Sequence, residues 1–415
     1  MRNATRLQHV QPKATTKLAD QVRVLRARGI EPINLAPARP DFDTPRAIKD
    51  AAVAALNEPL TYILYSESRG LIELREAIAD KLAAENGLDV DPETQVLVTA
   101  GTHEALTIAF QAIIDPGDEV ILFDPSWVAY VGMVRLAGGE PVYANLNEGR
   151  LDEDALRASI TPRTKAILFN NPNNPTGTVF SRSELTTIAA LAIEHDLHVL
   201  VDEIYEYFLF DGHVHTSIAS LPGMAERTLT INGVSKAFAM TGWRVGYAAG
   251  PADWVEAMLR VHQHFISAPC TFAQKGSVAA FTVARHSVDA MVDTYRRRRD
   301  ALAPLLMDMD GVTASVPEGA CFYFPRFDVG LDSERLSQEI LERSGIMLTP
   351  GSAFGPASEH HLRLSFASLP LPLVPEVVAR LRTVLSELRS VAGPGGRSVD
   401  PPHARSSNTF REEKA

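Results

Sequence analysis

A short segment in the middle of the chain, 231-INGVSKAFAMTGWRVGY-247, combines one lysine with small neighbours and an arginine. Gly233 and Ser235 leave room around the amine of Lys236. Apolar surroundings lower the pKa of an amine, and a neutral amine can form an imine with an aldehyde. Arg244 follows eight positions later, and its planar guanidinium matches phosphate oxygens. A lone lysine in a loop is usually a solvated cation, so the interpretation depends on other parts of the chain.

Further polar groups follow apolar runs that are typical of strands. Asp202 ends the run 198-HVLVD-202, Tyr205 comes three positions later, and Asn174 lies within 170-NNPNNPTG-177. An Asp in such a place can also be a helix N-cap, and a run of Asn, Pro and Gly can be a series of turns. Because ligands of open α/β sheets bind at the carboxyl ends of strands, we expect these side chains to meet Lys236 there.

Four more residues could belong to a binding site. Gly101 and Thr102 lie between a predicted strand and a helix, where free N–H groups and the positive end of the helix suit a phosphate. Trp127 could stack on a ring or pack in the core. Arg363 stands inside the apolar run 361-HLRLSF-366, and a buried arginine requires an anionic partner.

The elements that must position these residues alternate between helix and strand patterns from about residue 70. Helical spacing of apolar residues predicts helices over 71–86 and 102–114. Such alternation is typical of a mostly parallel sheet sandwiched by helices, which we assign to a large domain, residues 47–290. The predicted strands are Gln95–Thr99, Glu119–Phe123, Lys165–Phe169, His198–Val201, Thr228–Ile231 and Val245–Ala249.

The pattern changes near Tyr295 to a long helix, short strands and a closing helix, which predicts a smaller α+β domain over 291–391. The N-terminal segment, 1–46, is expected to contribute to it. The run Arg296–Arg299 is interpreted as the solvated side of the long helix. The end of the chain, 392–415, is rich in Pro, Gly, Ser and charge, so we expect a disordered tail. The small-domain strands are predicted at Val312–Val316, Phe322–Phe327 and His361–Ser365, and the closing helix at Val374–Val391.

Composition narrows the class of protein. A formal charge of −11 over 415 residues argues against nucleic acid or an anionic membrane as a partner. No apolar run has the length of a membrane span. The two cysteines lack the spacing of a disulfide framework or a zinc site, so we expect no metal and a cytoplasmic location. His103-Glu104 begins a zinc-protease pattern, but its fifth position is Thr107.

These motifs, in this order over roughly residues 20–390, resemble those of the class I aminotransferases, fold type I enzymes similar to aspartate aminotransferase that depend on pyridoxal 5'-phosphate (PLP). The resemblance implies that Lys236 holds PLP as a Schiff base and moves protons during the reaction. It also implies a role for each of the other motifs. Gly101, Thr102 and Arg244 would bind the phosphate, and Asp202 would pair with the pyridine nitrogen. Tyr205 and Asn174 would bind the phenolic oxygen, and Trp127 would stack on the face of the ring.

The resemblance also bears on substrate and assembly. Arg363 would bind the substrate α-carboxylate. Tyr65, or its neighbour Tyr62, would reach the PLP phosphate of a second subunit, which implies a homodimer with shared sites. The chain departs from the family pattern around the substrate, at Ala38, Arg39 and His103, and these residues are candidates for substrate binding.

We therefore predict an aminotransferase that moves an amino group between an amino acid and a 2-oxo acid by a ping-pong mechanism. One alternative keeps PLP but gives a cyclase, lyase or oxidase, because the substrate pocket decides how the shared carbanion reacts. The departures at Ala38, Arg39, His103 and Cys321 keep this alternative open. A PLP-sensing regulatory protein would need a DNA-binding segment, and the N-terminal segment has no helix-turn-helix pattern.

Overall fold

The computed structural model describes residues 4, 7–8, 10, 22–27, 29, 31–58 and 60–392. Its strands are, in chain order, β1 Ile33–Asn34, β2 Val96–Thr99, β3 Glu119–Asp124, β4 Glu140–Asn145, β5 Thr164–Asn170, β6 His198–Asp202, β7 Thr228–Gly233, β8 Gly246–Ala249, β9 Val312–Thr313, β10 Phe322–Tyr323, β11 Arg326–Phe327, β12 Ile346–Met347, β13 Thr349–Pro350 and β14 Leu362–Ser365. The predicted disordered tail lies outside the described residues, apart from Ala392.

Helices of seven or more residues connect most of the strands. They are α1 Arg46–Asn57, α2 Ile72–Lys81, α3 Thr102–Ile113, α4 Ala129–Ala137, α5 Glu153–Ser159, α6 Arg182–Glu194, α7 Ala252–Phe265, α8 Thr271–Thr282, α9 Ser287–Met307, α10 Ser333–Ser344 and α11 Val374–Ala392. The helix predicted over 71–86 is α2 followed by a π-helical turn, Leu82–Asn86, which ends at Gly87 with φ of 67°. A positive φ favours glycine at such a helix end. No described helix is long and apolar enough to cross a membrane.

Seven strands form the main sheet in the order β2-β8-β7-β6-β5-β3-β4. β8 runs antiparallel to both of its neighbours, β2 and β7, and the other pairs of this sheet are parallel. Alternate residues of β6 lie on opposite faces of the sheet. Leu200 packs with the helices α3, α4 and α7, whereas Val199 and Val201 pack with α6. The sheet is thus mostly parallel and covered by helices on both faces, as predicted. The edge strand β4 was missed, because its Pro141 and partly exposed residues do not resemble a buried strand.

The C-terminal part contains short strands, and several differ from the prediction. The strand expected over 322–327 is divided into β10 and β11, because Pro325 lacks the N–H that a continuous ladder needs. β10 pairs with β14, and β11 with β9. β1 pairs with β12, so the N-terminal segment joins these strands. The domain boundaries themselves remain a prediction.

One prediction about the surface is wrong. The run Arg296–Arg299 does not lie wholly on a solvated side of its helix, because Arg298 and Arg299 are 7% and 3% exposed. Helix α9 begins at Ser287, well before Tyr295, and packs against α11. Each of the two buried guanidinium groups pairs with a carboxylate of another segment, which local sequence does not reveal.

Candidate active site

A cavity of about 520 Å³ lies where the carboxyl ends of β2, β3, β5, β6 and β7 meet. It gathers ten of the thirteen residues that the sequence singled out. The lining residues are Pro37, Ala38, Thr102, His103, Trp127, Asn170, Asn174, Asp202, Ile204, Tyr205, Ser235, Lys236, Thr241, Arg244 and Arg363. Parallel strands bring their carboxyl ends to one edge, so motifs far apart in sequence converge there.

Lys236 lies in the turn that follows β7 and is partly buried. Its Nζ donates a hydrogen bond to the carbonyl oxygen of Ala38 at 2.5 Å and lies 5.8 Å from the centre of the Tyr205 ring. Burial, together with the nearby positive charge of Arg363, lowers the pKa of Lys236 to about 8. The amine is therefore neutral at a pH where an ordinary lysine is charged, which is what attack on a carbonyl carbon requires.

Asp202 is the last residue of β6 and is buried. Its Oδ2 accepts a hydrogen bond from the Tyr130 hydroxyl at 3.0 Å, and its Oδ1 accepts one from the Ile204 N–H at 3.2 Å. Burial raises the pKa of Asp202 to about 6. The carboxylate caps a turn rather than a helix, and it faces the cavity, where a cationic nitrogen would stabilise its charged form.

Tyr130 was not found by sequence reasoning. It lies in α4, three positions after Trp127, and its hydroxyl is directed at Asp202. Burial raises the pKa of Tyr130 well above its ordinary value, so the phenol remains a donor. The available signal was the spacing of three positions from Trp127, which precedes α4: the Tyr130 N–H donates to the Trp127 carbonyl oxygen at 3.1 Å.

Arg363 is buried in β14, as the sequence predicted. Its Nη1 donates to Asn174 Oδ1 at 2.7 Å, and its Nη2 to the Ala36 carbonyl oxygen at 2.5 Å. The guanidinium carbon lies 4.6 Å from the centre of the Phe322 ring and 4.9 Å from that of Phe354. Burial lowers the pKa of Arg363 to about 10, and its Nε has no hydrogen-bond partner among the described residues.

No carboxylate forms an ion pair with Arg363 in the described part of the chain. The anionic partner that the sequence required is thus not a described protein group, and the guanidinium faces the cavity. Asn174 is itself held in place, because its N–H donates to Asn170 Oδ1 at 2.9 Å. The Asn170 amide also donates to the Asp202 carbonyl oxygen at 2.5 Å, which connects the two sides of the site.

Gly101, Thr102 and Arg244 form one corner of the site. Thr102 begins α3, and Arg244 donates to the carbonyl oxygens of Thr241 and Ala100 at 3.1 and 3.2 Å. Gly101 has φ of 83°, and a Cβ there would overlap the Arg244 guanidinium. Gly101 therefore does not line the cavity but allows the arginine to lie against the start of the helix. Helix-start N–H groups and a guanidinium together suit a phosphate.

Trp127 and His103 stand together in the wall of the cavity. Their ring centres are 4.6 Å apart with an interplanar angle of 88°, and Trp127 makes a similar edge contact with Tyr130 at 5.2 Å and 85°. Both Trp127 and His103 line the cavity. Tyr205 is buried near Lys236, and burial raises the pKa of its hydroxyl well above the ordinary value, so the phenol stays protonated.

Besides Gly101, two predicted site residues do not line the cavity. Arg39 is exposed and is not among the lining residues, although its neighbour Ala38 is. Tyr65 is 91% exposed and does not reach the cavity of its own chain. The alternative, Tyr62, donates a hydrogen bond to Glu73 Oε1 at 3.0 Å.

Comparison with known proteins identifies the family. A sequence model described as "Aminotransferase class I and II" matches residues 30–381. The chain belongs to the class I and II aminotransferases. It is 42% identical to the aromatic-amino-acid aminotransferase 2 of Thermococcus litoralis over 93% of this chain and 99% of the relative. It is 43% identical to the aspartate/prephenate aminotransferase of Thermus thermophilus over 88% of this chain and 94% of the relative.

Solved structures agree with this assignment. One match is the structure of aspartate aminotransferase from Thermus thermophilus with maleate. Its TM-score is 0.86 and its identity 40%, and the match covers 92% of this chain and 100% of that one. The predictions of a fold type I architecture, an aminotransferase and PLP as cofactor are confirmed. The cavity of this aminotransferase fits PLP, because it offers an amine of lowered pKa, a buried carboxylate and a guanidinium beside a helix start.

The lowered pKa of Lys236 predicts how PLP enters the PLP-free enzyme. With a pKa of about 8, about a tenth of the amines are neutral at pH 7, against roughly one in three thousand for an ordinary lysine. We expect the rate of PLP incorporation to rise about tenfold between about pH 7 and about pH 9 and then to level off. Stopped-flow absorbance measures this rate. A rate that keeps rising to about pH 10, as for a free lysine derivative measured in parallel, would contradict the prediction.

Proposed function

We propose that the cavity carries out transamination in two half-reactions, with Lys236 as the residue that binds PLP covalently and then moves the proton at the substrate Cα. PLP supplies the electron sink that stabilises negative charge at that carbon. The observation that carries the proposal is that the amine of Lys236, the carboxylate of Asp202 and the guanidinium of Arg363 line one cavity. An amine with a pKa of about 8 can both take up and return a proton near neutral pH.

The remaining cofactor contacts are proposed from the chemistry of each side chain. We infer that Asp202, held by Tyr130, pairs with the pyridine nitrogen, because a buried carboxylate of raised pKa gains stability from a cationic partner. The protonated hydroxyl of Tyr205 and the amide of Asn174 are the donors proposed for the phenolic oxygen. Gly101, Thr102 and Arg244 are proposed for the phosphate and Trp127 for the ring face.

Arg363 is proposed to bind the α-carboxylate of every amino acid and 2-oxo acid substrate. Its Nε is buried and has no hydrogen-bond partner in the part of the chain that the structure describes, and its two flanking rings exclude water from the guanidinium faces. A planar guanidinium can bind a carboxylate through two parallel hydrogen bonds. This contact orients the substrate amine and Cα towards Lys236, which lines the same cavity.

The alternative reactions on PLP lack a supporting observation. The named relatives are aminotransferases, not cyclases, lyases or oxidases. Cys321, one of the departures that kept the alternative open, is buried, and burial raises the pKa of its thiol to about 11. The thiol is therefore protonated near neutral pH and is not a competing nucleophile.

We further propose that aromatic and acidic amino acids are donors, with His103 as the residue that contacts their side chains. Two relatives are named for aromatic amino acids and for aspartate and prephenate. The imidazole of His103 can donate to a carboxylate, and its edge contact with Trp127 leaves an aromatic surface beside it. Ala38 contributes its backbone, whereas the exposed Arg39 is proposed to meet substrates only at the outer edge.

An amino acid panel tests the proposed function. The purified enzyme, loaded with PLP, would receive each amino acid alone and then a 2-oxo acid, while absorbance and keto-acid products are followed. We expect conversion of the cofactor to its amine form with the first substrate alone and recovery with the second, as ping-pong kinetics require. Release of ammonia, carbon dioxide or hydrogen peroxide in place of the matching keto acid would contradict transamination.

We propose a cytoplasmic homodimer in which Tyr65 completes the site of the other subunit. Large apolar side chains are exposed in two runs: Leu60, Ile63, Leu64 and Tyr65 in one, Phe265 and Ile266 in the other. The Thr271 hydroxyl donates to the Leu64 carbonyl oxygen at 2.7 Å, so the first run lies near the start of the helix that follows the second. Exposed clusters of large apolar side chains are typical of a protein interface.

Mixing two defective variants tests shared sites. In a dimer of one Lys236→Ala chain and one Tyr65→Ala chain, one site has both defects and the other has neither if Tyr65 acts across the interface. An equal mixture reassembled from subunits should then regain about a quarter of the native activity, because half the dimers are hybrid and each has one intact site. Activity no higher than the mean of the two parents, or a fully active monomer in sedimentation, would contradict shared sites.

A further inference from the structure

Arg298 of helix α9 connects two segments that are distant in sequence. Its Nη1 and Nη2 bind the two carboxylate oxygens of Asp41 at 2.9 and 2.6 Å. The same Nη1 also donates to the carbonyl oxygens of Phe366 and Ala367 at 3.3 and 2.5 Å. One guanidinium therefore holds the N-terminal segment and the residues that follow β14.

These two segments hold the groups proposed to act on the substrate. Five residues before Asp41, the Ala36 carbonyl oxygen accepts from Arg363, and the Ala38 carbonyl oxygen accepts from Lys236. Arg363 itself lies in β14, just before the residues that Arg298 binds. The position of Arg363 relative to Lys236 thus depends on how the N-terminal segment and β14 are joined.

The surroundings of Arg298 fix its side chain in this place. The residue is 7% exposed, and its guanidinium carbon lies 5.8 Å from the ring centres of both Phe42 and Tyr295. A buried charge whose hydrogen bonds go to two segments resists the separation of either, because an unpaired buried guanidinium is costly. A backbone hydrogen bond from the Ser365 N–H to the Leu35 carbonyl oxygen at 2.8 Å also joins them, as does the hydrogen bond from Arg363 to Ala36.

We propose that Arg298 is a positioning residue for substrate binding: it sets the place of the Arg363 guanidinium against Lys236 without touching substrate or PLP. The inference rests on the proposed role of Arg363 as the binder of the α-carboxylate. Loosening the Arg298 contacts should therefore weaken the binding of the shared carboxylate more than it slows the proton transfer carried out by Lys236.

The next residue of the helix provides a matched control. Arg299 is 3% exposed and also binds a carboxylate with both terminal nitrogens, Asp211 at 2.7 and 2.9 Å. It donates further to the Pro317 carbonyl oxygen at 3.1 Å. None of these contacts is with the N-terminal segment or with β14. A change at Arg299 therefore reports the general cost of disturbing a buried ion pair of α9.

The experiment compares Arg298→Lys, Arg299→Lys and Arg363→Lys in the PLP-loaded enzyme. An ammonium keeps the charge but cannot bind both Asp41 oxygens and the carbonyl oxygens together. We expect Arg298→Lys to raise KM for every amino acid and Kd for the carboxylate 3-phenylpropionate by about five- to thirtyfold, with kcat changed less than about threefold. Arg299→Lys should leave KM and Kd within about twofold, even where both variants lower Tm equally.

Different results would overturn the positioning role of Arg298 and the proposed role of Arg363. Equal changes of KM in the Arg298 and Arg299 variants, or none in either, would overturn it. If Arg363→Lys leaves KM and Kd unchanged, the proposed role of Arg363 fails instead. Should Arg298→Lys not fold, Asp41→Asn removes the same ion pair at a residue whose side chain is 30% exposed. It must then show the same rise in KM, or the positioning role is wrong.

Discussion

Replacing Lys236 by alanine is expected to lower kcat for amino-group transfer by about 10⁴-fold or more, the largest effect of any single change in the protein. The substitution removes both the covalent attachment of PLP and the group that moves the proton at Cα. We do not expect the neighbouring groups to replace it, because Asp202 is held by Tyr130, burial keeps the Tyr205 phenol protonated, and the Arg363 guanidinium stays charged near neutral pH. Single-turnover absorbance with saturating amino acid measures the effect.

Two further variants make this result specific. Lys236→Arg keeps a positive charge but offers no amine that becomes neutral, so it should be as inactive as Lys236→Ala. The alanine variant leaves space, and a small primary amine such as ethylamine should restore part of its activity but none in the arginine variant. Lys275→Ala removes a lysine that pairs with Glu73 outside the cavity and should retain native kcat. Substantial activity in Lys236→Arg would show that another residue moves the proton.

Replacing Arg363 by alanine should reduce kcat/KM for every amino acid by roughly tenfold to several thousandfold. A charge-assisted bidentate contact in a site that excludes water contributes about 2–5 kcal/mol, which corresponds to that range. The lost contact belongs to the α-carboxylate, the part that all substrates share, so the loss should be similar across the panel. The measurement is kcat/KM for aromatic, acidic and aliphatic amino acids, with PLP occupancy checked first.

Variants at Arg363 and His103 distinguish binding of the α-carboxylate from binding of the substrate side chain. Arg363→Lys should recover part of the loss, since one ammonium cannot reproduce two parallel hydrogen bonds. His103→Ala should instead change the ranking of amino acids by their side chains while leaving the PLP spectrum unchanged. If Arg363→Ala altered only the ranking and His103→Ala depressed all substrates equally, the two roles would have to be exchanged.

The cofactor side of the site could be predicted from sequence because each of its residues lies at a strand end or the adjoining turn. Asp202, Asn174 and Lys236 all follow apolar runs, and the rule that parallel strands present their carboxyl ends together brings them into one cavity. The buried Arg363 was predicted for the same kind of reason, since an arginine within an apolar strand needs an anion. A local sequence pattern is sufficient to predict such residues, because the topology of the parallel sheet brings them together.

The features that were missed depend on contacts between distant segments. The hydrogen bond from Tyr130 to Asp202 joins residues on α4 and β6, and nothing near Tyr130 in sequence requires it. Arg298 looks like a member of a solvated basic run, because its partner Asp41 belongs to a segment far away in the chain. Sequence also does not show which neighbour lines the cavity: Ala38 contacts Lys236 through its backbone, whereas the exposed Arg39 does not line the cavity.

The proposed role of Lys236 is decided by finding which lysine carries PLP. The PLP-loaded enzyme would be reduced with borohydride, digested, and the labelled peptide identified by mass spectrometry. We expect the label on Lys236, within the peptide that contains 231-INGVSKAFAMTGWR-244, and no labelled peptide from Lys236→Ala at stoichiometric PLP. The buried Lys81, which is paired with Glu206, should remain unlabelled. A label on Lys81 or any other lysine, or stoichiometric labelling of Lys236→Ala, would contradict the central claim.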